Sequence, residues 1–570
     1  MGRVIGLGLD AGSIGLIEEL IAGGGLPNFT ALRARSARVA LDSDPTHRHG
    51  VLWPQFVAGA EARFGGDWRR FHFDRSTYEV FQTSARHTVD GNEPFWEAAD
   101  ARTITMDIPG STVRGPGVHV TGWGAHAPLY PRASEPPGLL TELEDRFGVH
   151  PAYENEYEVG WHDPKRLDRL TDALVTGAAR GAEIAVDLMR RFPDWELFLS
   201  VMSESHSASE IMWQAVAPDH PLADFDGNAR QRLERVFRAM DAAIGRIVDQ
   251  APANATVVVF SLDGMRGSHG DLPSIVLLPE LMHRMHFGSP KLKDLDDVDQ
   301  WRANGCRPLI PPRSRPWRLA LDAKLVDPPT RRWTQRFPGY QAARLTAPGL
   351  RLLEVLKRQR LGAFGIEIPR ESTEERDAFE DHLGPADSVL FIDNYRSHRH
   401  EMRAFALPTF GDAYVRINLI GREAHGVIPV EEFDAECRAV AAMIGACRDV
   451  RTGEPIAASI EILPTDDPLD PNDDRYCDIF ITWSRPIDAI EHPTAGVVGP
   501  FPFNRTAAHD ARGFAWVAGA GITPGAVPEV HSVLDLPPTI VQLVDPDASL
   551  PPAGTPIAAL LRSRASEVTS

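Results

Sequence analysis

Acidic and histidine side chains follow three separate apolar runs of the sequence. Asp10 ends VIGLGLD, Glu204 and His206 follow ELFLSVMS, and Asp263 ends ATVVVFSLD. Runs of aliphatic and β-branched residues that end in polar or glycine residues are typical of buried strands. Carboxylates and imidazoles together can bind a divalent metal or move protons. If the three strands lie in one sheet, their ends form a candidate site.

The segments between these runs favour a mostly parallel α/β sheet. The opening segment predicts a strand as far as Asp10, a helix over 14–21 and a second helix that begins at Pro27. A further strand-like run, TITMDIPG near residue 105, also follows or precedes a helical stretch. In open parallel sheets the ligand site lies outside the carboxyl ends of the strands, so we expect the polar residues to converge there.

The composition indicates a globular protein with an acidic balance. The formal net charge of -20 opposes binding to nucleic acid or to anionic membranes. The four cysteines have neither zinc-finger nor CxxC spacing, so no disulfide framework or thiolate metal site is indicated. The chain opens without a signal-peptide pattern, and no apolar run reaches the roughly 18 residues of a membrane span. We therefore expect a cytoplasmic protein, of open oligomeric state.

Changes of character along the chain divide its 570 residues into four parts. Residues 1–285 are expected to form the first part of a core. The Pro- and Arg-rich segment 286–403 is expected to form a cap insertion. Residues 404–475 read as a small α/β module, and 476–570 as the second part of the core.

Four segments resemble the metal-binding segments of the alkaline phosphatase superfamily, in its type I phosphodiesterase and nucleotide pyrophosphatase-like branch. They are GLDAGSIGLIEELIAGGGLPNFTAL, DWELFLSVMSESHSASEIMW, VFRAMDAAIGRIVDQAPANATVVVFSLDGM and NRTAAHDARGFAWVAGAGITPG. The resemblance covers most of the chain outside about 290–400. It implies an alkaline phosphatase-like α/β core, with a mostly parallel sheet flanked by helices on both faces.

The resemblance also implies a metal site, with ligands at Asp10, His206, Glu210, Asp263 and His509. Where the family carries two consecutive ligands after the late strand, this chain has Leu262 and then Asp263. About two nitrogen ligands therefore become oxygen ligands, and the second ion is in doubt. We expect one or two divalent ions, with zinc, manganese or iron ranked ahead of magnesium or calcium.

The nucleophile has two candidates. The family places a Thr or Ser shortly before a helix that contains a Trp, and the matching text here is DPTHRHGVLW, which ends at Trp53. His49 stands near the usual hydroxyl position, and Thr46 is the nearest hydroxyl. We predict Thr46 or a metal-bound hydroxide as nucleophile and His49 or His47 as general base or acid.

The function that follows from the resemblance is metal-dependent hydrolysis of a small anionic phosphate ester, either a diester or a monoester. Two alternatives remain: a binding protein of the same fold without catalysis, and a metalloenzyme of different chemistry, including sulfate ester hydrolysis. Each site residue also has an ordinary structural interpretation. Asp10 would be a helix N-cap, His206 and Glu210 a surface helix pair, Asp263 a turn residue and His509 a structural histidine.

Overall fold

The computed structural model describes residues 2–43, 51–62, 71–82, 93–111, 113, 115–124, 132–153, 160–268, 270–311, 317–326, 389–409, 411–471, 473 and 475–561. Thr46, His47, His49 and most of the expected cap lie outside these residues. None of the described helices is long and apolar enough to cross a membrane.

The described residues form twenty strands. They are β1 Val4–Leu9, β2 Ala37–Asp42, β3 Phe71–Phe73, β4 Val80–Gln82, β5 Thr103–Met106, β6 Gly117–Thr121, β7 Ala133–Glu135, β8 Leu197–Met202, β9 Thr256–Ser261, β10 Gly264–Gly267, β11 Ala404–Leu407, β12 Ala413–Ile417, β13 Arg448–Asp449, β14 Ala457–Ile462, β15 Ile479–Trp483, β16 Ile490–His492, β17 Gly496–Val498, β18 Ala507–Asp510, β19 Arg512–Ala518 and β20 Gly525–Ser532.

Thirteen α-helices accompany these strands in the described part of the chain. They are α1 Ile14–Ala22, α2 Pro27–Arg35, α3 Leu52–Ala58, α4 Leu139–Phe147, α5 Pro164–Arg191, α6 Glu204–Met212, α7 Ala229–Val248, α8 Leu278–Phe287, α9 Val298–Ala303, α10 Trp317–Asp322, α11 Phe433–Gly445, α12 Leu536–Val544 and α13 Ala558–Leu561. Short 3-10 helices and one π-helical turn complete the secondary structure.

A nine-stranded sheet organises the molecule, in the order β20-β2-β19-β9-β1-β8-β5-β6-β7. The central run β9-β1-β8-β5-β6 is parallel throughout. Only β19 and β7 run antiparallel to their neighbours. The strands β1, β8 and β9 are buried along their whole length, as expected for parallel strands covered on both faces. The α/β fold class predicted from the sequence is confirmed.

Two apolar cores lie on the two faces of this sheet. The larger one contains side chains of α1, α2, α5 and α7. The second contains side chains of α3 and α12. Each helix buries the apolar stripe that its sequence carries, which is why helices cover both faces of the sheet.

A second, antiparallel sheet has the order β11-β12-β15-β14. It corresponds to the small α/β module and packs against α11, which buries Phe433, Cys437 and Ile444. Its third strand in spatial order, Ile479–Trp483, lies beyond residue 475, where the sequence suggested that the module ends. The apolar sequence of this strand does not show which sheet it joins. Its pairing with β12 and β14 places it in the small sheet.

Candidate metal centre

Asp10 directly follows β1, at the carboxyl edge of the large sheet. It does not cap the next helix, because the Ser13 side chain accepts from the Leu16 N–H and is the N-cap of α1. The indole Nε1 of Trp53 donates instead to Asp10 Oδ1 at 2.7 Å. Asp10 is 3% exposed, so this bond fixes the direction of a buried carboxylate.

Gly8 allows Trp53 to lie this close to β1. A Cβ atom at position 8 would stand 3.1 Å from the indole ring, tighter than ordinary packing. After Asp10 the chain turns through Ala11, whose φ of 52° is uncommon for a residue with a side chain. The next N–H, of Gly12, donates to Ser261 Oγ at 2.8 Å and so ties this turn to the end of β9. The strained turn is held from two sides, as is common near functional sites.

Helix α6 is unusual because it is polar and entirely buried. It begins directly after β8, and all nine of its residues are buried, including His206 and Glu210. A surface helix pair is therefore excluded as the explanation of these two residues. Buried ionisable groups are costly unless they are paired or bind an ion, so a helix of this kind is typical of a functional site.

His509 reaches the same place from a distant part of the chain. It lies on β18, which pairs antiparallel with β10 so that Met265 stands opposite His509. This ribbon begins next to Asp263 and brings the His509 ring to within 5.0 Å of the His206 ring, centroid to centroid. The two Nε2 atoms are 3.2 Å apart.

Asp263 holds the other side of the His509 ring. Its Oδ2 lies 2.6 Å from His509 Nδ1. Desolvation alone would lower the pKa of His509, but the carboxylates of Asp263, Asp10 and Glu210 outweigh it and raise that pKa above its ordinary value. A carboxylate on one ring nitrogen fixes the tautomer and leaves the lone pair of the other nitrogen for a ligand. In this geometry Asp263 orients His509 instead of acting only as a ligand itself.

Glu210 is engaged by an arginine. Arg505 Nη1 donates to Glu210 Oε1, and Arg505 Nε donates to Asp271 Oδ2. The same Glu210 oxygen lies 3.6 Å from His206 Nε2. Nothing local in the sequence links positions 210, 271 and 505, so sequence reasoning missed this network.

A second cluster, with two buried members and one partly buried member, lies beside the first. Glu204 Oε1 is 3.4 Å from His150 Nε2. Asp107, which follows β5, accepts from the Trp123 N–H at 2.8 Å, and burial raises its pKa to about 6. Glu204 was noted from the sequence, whereas Asp107 and His150 carry no motif that would have identified them.

The residues fit one divalent cation better than two. Two nitrogens bound to one tetrahedral zinc at about 2.0–2.1 Å would be about 3.3 Å apart, close to the separation of the two Nε2 atoms. Asp263 Oδ1 is buried and has no hydrogen-bond partner in the described part of the chain. For a second ion, Leu262 offers no donor and is 0% exposed in the core, and Glu210 is held by Arg505.

The structure thus brings the five predicted ligands into one cluster. Asp10 and Glu210 act electrostatically on His509, which contacts His206 and Asp263. Within the described ranges, however, no three His, Cys, Asp or Glu side chains are already arranged around one metal position. Thr46 and His49, the predicted catalytic residues, lie outside those ranges.

Comparison of the fold with solved structures gives matches along almost the whole chain. A phosphonoacetate hydrolase from Sinorhizobium meliloti 1021 in complex with phosphonoformate has a TM-score of 0.44 at 12% identity, over 95% of each chain. The alkaline phosphatase PafA has a TM-score of 0.48 at 10% identity, over 98% of this chain and 99% of that chain. Inactive murine ectonucleotide pyrophosphatase/phosphodiesterase 5 in complex with AMP has a TM-score of 0.43 at 10% identity, over 99% of both chains.

These are alkaline phosphatase superfamily proteins. No protein-family model and no curated protein sequence matches the chain. With such identities the matches concern the overall fold alone, so the roles of individual residues depend on the contacts described above.

Proposed function

We propose that this protein is a metal-dependent hydrolase of small phosphate esters, either diesters or monoesters. The observation that carries the proposal is the pair of imidazole Nε2 atoms 3.2 Å apart. Two such nitrogens beside buried carboxylates form a donor set for a divalent cation. This cluster lies at the carboxyl edge of the parallel strands, where open α/β sheets bind their ligands.

In this proposal His206, His509 and Asp10 hold the ion. Asp263 accepts the Nδ1 proton of His509, so that His509 presents Nε2 to the metal. Trp53 fixes the direction of the Asp10 carboxylate, whose oxygen atoms are donors that suit a divalent cation. A bound divalent ion supplies positive charge where oxygen charge accumulates during ester cleavage.

The nucleophile stays a proposal from the sequence. Thr46 is the hydroxyl nearest to the segment that ends at Trp53, and His49 or His47 would accept its proton. Trp53, the first described tryptophan after these residues, contacts Asp10, and this contact supports the assignment of the segment to the site.

The test begins with metal-free protein, to which zinc, manganese, iron(II), magnesium or calcium is added separately. Chromogenic phosphate monoesters, phosphate diesters and sulfate esters are then assayed with each metal. We expect turnover of a phosphate ester, and a loss of at least about 100-fold in H206A and in H509A. H119A is the matched control, because His119 is a buried histidine that contacts Thr105 on a neighbouring strand.

Two observations favour the second candidate function, a binding protein without catalysis. Arg505 forms an ion pair with Glu210, and no group of three ligands is already arranged for a metal among the described side chains. In that case neither bound metal nor turnover of any ester would be found with the five metals, whereas bound metal without turnover would favour a metalloenzyme of different chemistry. Turnover of sulfate esters alone would favour the metalloenzyme of different specificity.

A further inference from the structure

The Arg505 guanidinium lies between two buried carboxylates at the edge of the candidate metal centre. Its partners Glu210 and Asp271 are 8% and 3% exposed. Both contacts are charge-assisted hydrogen bonds, which are stronger than those between neutral groups. Removing the cation would leave two buried carboxylates without their counter-charge, which is strongly unfavourable.

The backbone around Arg505 is fixed to the same helix turn. The Thr506 N–H donates to the Glu210 carbonyl oxygen at 2.8 Å. The Thr506 hydroxyl oxygen accepts from the Trp213 N–H at 3.0 Å. Two backbone and side-chain contacts of Thr506 therefore hold the neighbouring Arg505 beside Glu210.

Glu210 Oε1 connects this cation to the histidine pair. It accepts from Arg505 Nη1 and lies 3.6 Å from His206 Nε2. A divalent ion bound at Glu210 would meet the guanidinium at a few Å, and like charges at that distance in a partly buried site repel by several kcal/mol. A guanidinium and a second metal ion thus compete for one carboxylate.

Leu262 offers no donor to a second ion, so that such an ion would depend on the carboxylates of Glu210 and Asp271. The family resemblance implies a ligand at this position, where the chain has a leucine whose side chain is fully buried. It belongs to the apolar core together with Trp53 and Phe260, on the face of the sheet that α3 covers. The remaining donors, His206, His509, Asp10 and Asp263, are enough for one divalent ion with two balancing carboxylates.

We propose that Arg505 takes the place of a second divalent cation, so that each chain binds a single ion at the His206–His509 pair. Arg505 is then a positioning residue that neutralises Glu210 and Asp271 without reacting. The inference rests on the metal site of the proposed function, but not on which ester, if any, is hydrolysed.

The experiment counts bound metal in the whole chain. Metal-free wild-type protein is titrated calorimetrically with zinc and with manganese, and the stoichiometry is checked by elemental analysis after gel filtration. We expect one equivalent for wild type and for R505K, which keeps the positive charge. In R505M the freed carboxylates should take up a second equivalent, while the control R235M, which loses only an exposed ion pair with Asp172, should take up one.

A second variant keeps the test decisive if R505M does not fold. E210Q should still bind one equivalent, because Glu210 is held by arginine and not by the ion. Two saturable equivalents in wild type, one equivalent in folded R505M, or loss of the ion in E210Q would each overturn the proposal. One equivalent in wild type without turnover of any ester supports it and rejects the hydrolase function; two equivalents with turnover do the reverse.

Discussion

Single hydrogen bonds orient the groups of the candidate site. Asp10 is directed by Trp53, and His509 by Asp263, through bonds of 2.7 and 2.6 Å. A residue that hydrogen-bonds to a metal ligand typically changes metal affinity or activity by about 10- to 100-fold when it is mutated. The sequence motifs indicated Asp10, Asp263 and His509, but not which atoms they contact.

Replacing Trp53 with Phe tests the bond to Asp10. The variant keeps an aromatic ring in the core but loses the Nε1 donor, so metal affinity should fall by about 10-fold. Competition with a chromogenic chelator measures this change. W96F is the control, since Trp96 is equally buried and its Nε1 has no hydrogen-bond partner among the described residues. Equal affinities in wild type and W53F would contradict the role of Trp53.

Ser261 is a structural residue that joins two strand ends at the site. Its hydroxyl accepts from the Gly12 N–H, and in S261A this buried N–H loses its partner. We expect the free energy of unfolding to fall by about 1–3 kcal/mol in urea denaturation. S209A should change it by no more than about 0.5 kcal/mol, because Ser209 Oγ is buried without a partner in the described structure. A larger loss of unfolding free energy in S209A than in S261A would show that the Ser261 hydrogen bond does not stabilise the fold.

Asp107 gives the adjacent cluster a pH dependence. Burial raises its pKa from 3.8 to about 6, so the folded state holds the proton more tightly than the unfolded chain. Its contribution to stability is complete below about pH 4 and is lost as the pH rises through 6. Because the side chain is only partly buried, we expect a change of about 1–2 kcal/mol over this window, absent in D107N. Urea denaturation between pH 4 and 7 measures how the free energy of unfolding changes with pH in wild type and in D107N. The same pH dependence in both proteins would reject the effect.

At the scale of elements, the site residues lie at or near the ends of strands and not in the middle of them. Only Ser203 separates β8 from α6, and β10 begins immediately after Asp263, so short connections set the positions of the site residues. The predicted helices over 14–21 and from Pro27 correspond to α1 and α2. Their apolar periodicity and the proline at N1 are local signals, which explains why they were predictable.

Helix α5 supports the adjacent cluster through one glycine. A Cβ atom at Gly177 would stand 2.0 Å from His150 Nε2, the atom that contacts Glu204. G177A should therefore displace His150 and destabilise the protein by about 1–3 kcal/mol. G181A on the same helix meets its nearest atom at 3.4 Å and should be neutral or stabilising by up to about 1 kcal/mol. Thermal denaturation of both variants measures the difference, and similar melting temperatures would argue against the close approach of His150.

At the scale of the whole molecule, the candidate site connects parts of the chain that are far apart in sequence. Asp10 and His509 come from opposite ends of the described chain, and β1 and β19 both pair with β9 in the large sheet. A ligand that bridges them binds only the folded protein, so it stabilises the entire domain by mass action. The net charge of -20 adds an attraction for cations that salt would screen.

Metal removal should therefore lower the melting temperature of the wild-type protein. At about 100 times its dissociation constant, one bound ion adds about 2.7 kcal/mol to the free energy of unfolding. Thermal unfolding with a chelator and after readdition of metal measures this shift. H206A should abolish the shift, whereas H119A should retain it. An unchanged shift in H206A would place the ion elsewhere.

The sequence by itself determined the α/β class, the buried parallel strands, the first two helices and the list of residues that meet at the strand ends. These features depend on local patterns, namely apolar periodicity, caps and strand-end motifs, which are present in any short window of the chain. Only the tertiary structure decided that Arg505 holds Glu210, that Asp263 orients His509, and that Ile479–Trp483 joins the small sheet. Each of these depends on contacts between residues tens to hundreds of positions apart, and such contacts leave no trace in local sequence.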